Sequence, residues 1–142
     1  MKKIVICLGI FVLLLLSMFL IYQYSPRKMI KASREEITRV IVINGNNGNI
    51  IDLGEKDIDE LYKEISKVKI KRIINPEESS GWSYSFKLFH GNELLVDAVI
   101  NGEQCSIDGV KYLVQQKQIK KIEALLEKFE HGTTKPDSEE NN

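Results

Sequence analysis

From Ile4 to Tyr22 the chain carries no charged side chain. The run, IVICLGIFVLLLLSMFLIY, is 19 residues long. As a helix it extends about 28 Å, close to the roughly 30 Å hydrocarbon core of a bilayer. Fourteen of its positions are Leu, Ile, Val or Phe. Each favours insertion by about 0.3–0.6 kcal/mol near a helix centre, about 4–8 kcal/mol in sum. Gly9, Ser17 and the terminal positions subtract from that, and no charge cancels it. The run is apolar all round, which fits a buried core helix poorly. The rival reading is a cleaved signal peptide, for which Lys2 and Lys3 would be the basic start. Against it, the stretch exceeds the usual length of about 7–15 residues, and no A-x-A-like site follows. Cys7 lies at the start of the run rather than after it, which disfavours lipid attachment. The expectation is an uncleaved anchor over residues 1–24, held in membrane lipid through residues 4–22, with a secreted form after cleavage as the alternative.

Orientation rests on opposing signals. Lys2 and Lys3 favour a cytoplasmic N-terminus, while Arg27, Lys28, Lys31 and Arg34 pull the other way. A very short tail before a long apolar run behaves as a signal sequence, so the C-terminal part is expected outside the cell membrane. The downstream basic residues then lie along anionic headgroups, each contributing about 1 kcal/mol.

With 142 residues, the chain supports one folded domain. Residues 25–36 are polar and basic and read as a juxtamembrane stalk, helical after Pro26. Residues 131–142 (HGTTKPDSEENN) hold almost nothing apolar and read as a disordered tail. The globular part is expected over 37–130.

There the pattern alternates between strand and helix signals. Residues 38–43 (TRVIVI) are a β-branched strand, and NGNNGN over 44–49 supplies a turn into a second strand at 50–53. Ile58, Leu61, Tyr62, Ile65 and Val68 recur at helical spacing over 57–68, with Asp57 as the expected cap. Further strands are expected at 69–74, 82–89, 93–100, 103–107 and 110–114, with Asn101-Gly102 and Asp108-Gly109 as hairpin turns. Ile119, Ile122, Leu125, Leu126 and Phe129 form the stripe of a last helix over 116–130. The order ββαβββββα predicts an α+β fold, a two-layer domain with a mostly antiparallel sheet and two helices on one face.

Little in the chain points to catalysis. Twenty basic residues balance twenty acidic ones, which argues against nucleic-acid binding. No P-loop, dinucleotide fingerprint, metalloprotease motif or GxSxG occurs. Asn44, Asn46, Asp52 and Glu55 fall at offsets one, three, nine and twelve of a calcium loop. However, Asn49 stands where that loop needs Gly, and a glycine-rich hairpin turn explains the same residues. Cys105 reads as a small buried residue, with His90 in a turn and His131 at the tail, so no thiol nucleophile has its base. Asp57, Asp59 and Glu60 suit a helix start rather than an acid/base pair. Lys63, Lys67, Lys69, Lys71 and Arg72, with Glu64 among them, read as a solvated face that also suits anionic lipid or wall polymer. Trp82, Tyr84 and Phe86 alternate as core residues of one strand, with an aromatic ligand platform as the second reading. Ser79, Ser80 and Gly81 make a flexible lead-in to that strand and are the candidate binding edge. No cofactor is expected.

The MKK start, the apolar run, INGNNG, SSGWSY and DGVKYLV before a final helix together span nearly the whole chain. In these the chain resembles small signal-anchored extracytoplasmic proteins of low-GC Gram-positive bacteria whose function is unassigned. The resemblance implies location and broad fold, and no functional residue. The expected function is a non-catalytic binding or regulatory domain displayed outside the cell, engaging a protein partner at its surface. An enzyme with no known motif, and a structural, assembly or immunity-type role, are the alternatives.

Overall fold

A computed structural model describes residues 2–76 and 81–132. Helix α1 (Lys2–Tyr24) contains the apolar run, and none of the side chains from Ile4 to Tyr22 is buried. This helix is long and apolar enough to cross a bilayer, a description that a signal sequence also meets.

The rest is an α+β fold. Its strands are β1 (Arg27–Lys28), β2 (Arg39–Asn44), β3 (Ile50–Asp52), β4 (Lys69–Arg72), β5 (Tyr84–His90), β6 (Glu93–Asn101), β7 (Gln104–Ile107) and β8 (Val110–Val114). Helix α2 (Glu55–Ile65) sits between β3 and β4, and α3 (Gln116–Gly132) follows β8. Among the described residues the strands form one antiparallel sheet in the order β1-β4-β8-β7-β6-β5-β2-β3. From residue 37 onward the predicted order ββαβββββα is the observed one.

Alternation along the strands sends one set of side chains against the helices. Val40 and Val42 of β2, Phe86 and Leu88 of β5, Ala98 and Ile100 of β6 and Cys105 of β7 are buried there. Ile58, Leu61 and Ile65 of α2 meet them, as do all five stripe residues of α3. Tyr62 is half-buried, its hydroxyl donating to the Ala32 carbonyl at 3.4 Å. The opposite face is mixed, not simply polar. Lys87 and Asp97 face each other across β5 and β6 and pair at 2.6 Å, while elsewhere on the face Val99 is half-buried and Leu113 exposed.

Local chemistry sets the turns. Asp108 and Gly109 both take positive φ, 50° and 80°, as a two-residue turn between β7 and β8 requires. Helix α2 begins two residues earlier than its spacing predicts. Gly54 is its N-cap, and its carbonyl accepts from the Asp57 and Ile58 amides. Asp57 therefore falls inside the first turn and acts on the helix dipole rather than as the cap.

The stretch expected as a stalk, 25–36, is largely built into the domain, and it is not helical after Pro26. Arg27 and Lys28 pair with β4, and the Met29 amide donates to the Val68 carbonyl at 2.9 Å. Met29 and Ile30 are buried. A single 3-10 turn at Arg34–Glu36 follows, closed by the Ser33 amide donating to the Glu36 carboxylate at 2.6 Å. The expected disorder of the tail concerns residues that, beyond Gly132, lie outside those described.

The asparagines of the 44–49 turn serve a side chain far along the sequence. Asn44, Asn47 and Asn49 each donate an amide N–H to the Glu130 carboxylate at 2.7 Å, joining the β2–β3 hairpin to α3. Asn47 foremost, then Asn44 and Asn49, hold the Glu130 carboxyl below its ordinary value of 4.5. A carboxyl depressed by folding stabilises the fold above its unfolded value, and that stabilisation is lost as pH falls through the lowered one. The denaturation midpoint of the wild type is therefore expected to fall more between pH 6 and pH 3, roughly the span around an ordinary carboxyl, than that of Glu130→Gln. Equal falls in urea titrations would show that the latch carries no stability.

Candidate functional site

Trp82 does not lie on β5. The strand starts at Tyr84, and the period-two pattern breaks at Ser83. The Ser83 hydroxyl turns toward α3 and donates to the Glu123 carboxylate at 2.5 Å. Tyr84 faces the same helix: burial raises its phenol pKa, and Glu130, Glu127 and Glu123 add to the rise. With Ser83 and Tyr84 both spent on α3, Trp82 falls to the other side and stays 40% exposed. Tyr84 and Phe86 are core residues as expected; Trp82 is not.

The indole is held in place by backbone. The Gly45 amide donates to the Ser83 carbonyl at 2.8 Å, and the Ser83 amide donates to the Ile100 carbonyl at 2.9 Å. Gly45 lies directly under the ring, where a Cβ would come within 2.6 Å of the indole Cε3. Only glycine leaves room for that stacking, which gives Gly45 a role beyond the turn.

Trp82 walls a cleft of about 230 Å³ over the ends of β6 and β7. Gly81 and the buried Cys105 border it, and Val99, Asn101, Gln104, Ser106 and Lys111 line it. These strand residues share the face opposite Ile100, Cys105 and Tyr112, because side chains alternate along each strand. The Gln104 Oε1 atom is buried and has no hydrogen-bond partner. A flat apolar ring beside an amide oxygen and a hydroxyl suits a ligand with one apolar face and hydrogen-bonding edges.

Of the expected binding edge, Gly81 is exposed with φ +89° and borders this cleft. Ser79 and Ser80 lie outside the described residues. Strands β8, β7 and β6 lie between β4, which ends at Arg72, and β5, which begins at Tyr84.

The remaining candidates separate. Asp52 pairs with Arg39 and Glu55 lies 3.5 Å from Arg34, so the offsets that resemble a calcium loop do not converge. Among the described residues, no group of three or more His, Cys, Asp or Glu side chains gathers as metal ligands do. Cys105 is buried, and that burial pushes its thiol up to about 12, which keeps it protonated at neutral pH. His90 stands at the far end of β5 with Nδ1 2.8 Å from the Glu36 carbonyl, and His131 ends α3. Lys63, Lys67, Lys69, Lys71 and Arg72 are exposed; Lys67 pairs with Glu64, and Arg72 donates to the Gln23 side chain of α1 at 3.2 Å.

Comparison of the chain with protein-family models, with curated proteins and with solved structures returned no match in any of the three.

Proposed function

We propose that this chain is a single-pass membrane protein that displays a small non-catalytic binding domain on the outer side of the cell membrane. The Trp82 cleft is its binding surface, and a protein partner at the cell surface is its occupant. The observation that carries this reading is the indole left 40% exposed beside the unpartnered Gln104 oxygen, on the face of the sheet that the helices leave open. Large aromatic side chains with a polar edge are the usual anchors of binding surfaces. The apolar helix supports the tether, which raises the local concentration of the domain at the bilayer. In this account the chain belongs with the signal-anchored proteins of Gram-positive bacteria that it resembles.

A photo-crosslinking residue in place of Trp82, in intact cells, is expected to capture one reproducible partner. The same probe in place of exposed Lys63 on α2 should not capture it. Adducts common to both positions, or none at position 82, would remove the cleft as the binding surface. Protease added to intact cells is expected to digest the domain. Full resistance until permeabilisation would reverse the orientation.

A further inference from the structure

A second, larger hollow opens beside the anchor. It measures about 500 Å³ and lies between the segment 27–32 and the helix-side face of β6, β7 and β8. Its lining mixes apolar and charged side chains, with Ile30, Leu95, Ile107 and Val110 among the apolar ones. Its rim carries Arg27, Lys28 and Lys31. Among the described residues none of these three cations has an ion-pair partner, a condition shared by Lys117, Lys120 and Lys121 on α3, none of which lines this groove. The Arg27 guanidinium stands 5.2 Å from the centre of the Tyr112 ring, a cation–π contact that keeps the charge over the groove. Two acids also line it. Glu36 accepts from the Ser33 amide and Asp108 from the Asp97 amide, so each already serves the backbone.

Location supplies the occupant. Arg27 follows the last residue of α1 by three positions. Val110 lines this groove and also a neighbouring hollow that Phe19 and Leu20 of α1 border. A groove that sets apolar side chains beside three unpaired cations, at the exit of a helix able to span a bilayer, matches an anionic amphiphile in charge and shape. We infer that the groove between residues 27–32 and the sheet holds one anionic phospholipid of the surrounding bilayer. The phosphate meets Arg27, Lys28 and Lys31, and an acyl chain lies along the half-buried Ala32, Leu95 and Val110. This inference rests on α1 being a membrane anchor. It makes the cations that oppose the expected topology a docking site for headgroups, each contributing about fivefold in affinity near an anionic surface.

The test uses the full chain in nanodiscs of equal parts phosphatidylglycerol and phosphatidylcholine, released into mild detergent and weighed by native mass spectrometry. The wild type is expected to retain one phosphatidylglycerol at least about tenfold over phosphatidylcholine, a conservative share of the three cations' effect. The variant R27Q/K28Q/K31Q should fall toward parity, and Ala32→Trp, which fills the groove and keeps its charges, should lose the bound lipid. K117Q/K120Q/K121Q, on exposed positions of α3, should keep the preference. Equal retention of both lipids by the wild type, an equal loss in the α3 variant, or full retention in Ala32→Trp would each overturn the inference. A chain that does not enter nanodiscs at all overturns the anchor reading and this inference with it.

Discussion

Truncating Phe86 to alanine is expected to cost about 3–5 kcal/mol of folding stability, the usual range for a buried aromatic ring. Phe86 has no exposed surface and lies mid-sheet on β5. Its neighbours across the ladders are Val42 on β2 and Ala98 on β6. Ala98 has no bulk with which to fill the space, so most of the cavity would persist, and a residual cavity adds to the lost transfer energy. A domain of this size has about 5–15 kcal/mol in total, so the variant would sit near the edge of folding. Phe89, on the opposite face of the same strand and half-buried, is the control, with an expected cost of about 1 kcal/mol when truncated. Urea unfolding of the full chain in mild detergent, followed by Trp82 fluorescence, measures both. A loss below about 1 kcal/mol for Phe86→Ala would mean that the core is not centred on β5.

The second large effect concerns the anchor. Leu13 and Leu14 lie near the middle of α1 and are exposed. Replacing one such leucine with arginine changes its contribution from about −0.5 to about +3 kcal/mol at a helix centre. Leu13→Arg with Leu14→Arg therefore removes about 6–8 kcal/mol, as much as the whole run supplies. The double variant is expected to leave the membrane fraction, while Leu13→Ile with Leu14→Ile should stay in it. If the arginine variant still resisted extraction from membranes, insertion through α1 would not be what holds the chain there.

Much of the fold was legible because its signals are local. Asp108-Gly109 specifies its own turn, and the α3 stripe from Ile119 to Phe129 is buried at every expected position. The sheet order was not legible. Nothing near Arg72 or Tyr84 records that three strands lie between β4 and β5. The start of the domain was hidden because Met29 and Ile30 are two apolar residues among basic ones, too short a signal to register as a strand or core segment. The cleft was half legible. Gly81 borders it, but strand alternation placed Trp82 in the core, and the break at Ser83 depends on Glu123, 40 residues on. One clue was present in the turn itself. Asn44 and Asn47 close the turn by accepting the Asn46 and Asn49 amides through their side-chain oxygens, and the side-chain amide N–H groups of Asn44, Asn47 and Asn49 are left to meet Glu130.

The tethered account stands or falls on where the intact chain is found. Membranes from expressing cells, washed at alkaline pH, separate integral from peripheral proteins, and intact mass reads the N-terminus of each fraction. The account predicts the full 142-residue chain, 16.3 kDa, in the washed pellet. A soluble chain lacking the residues of α1 would contradict it.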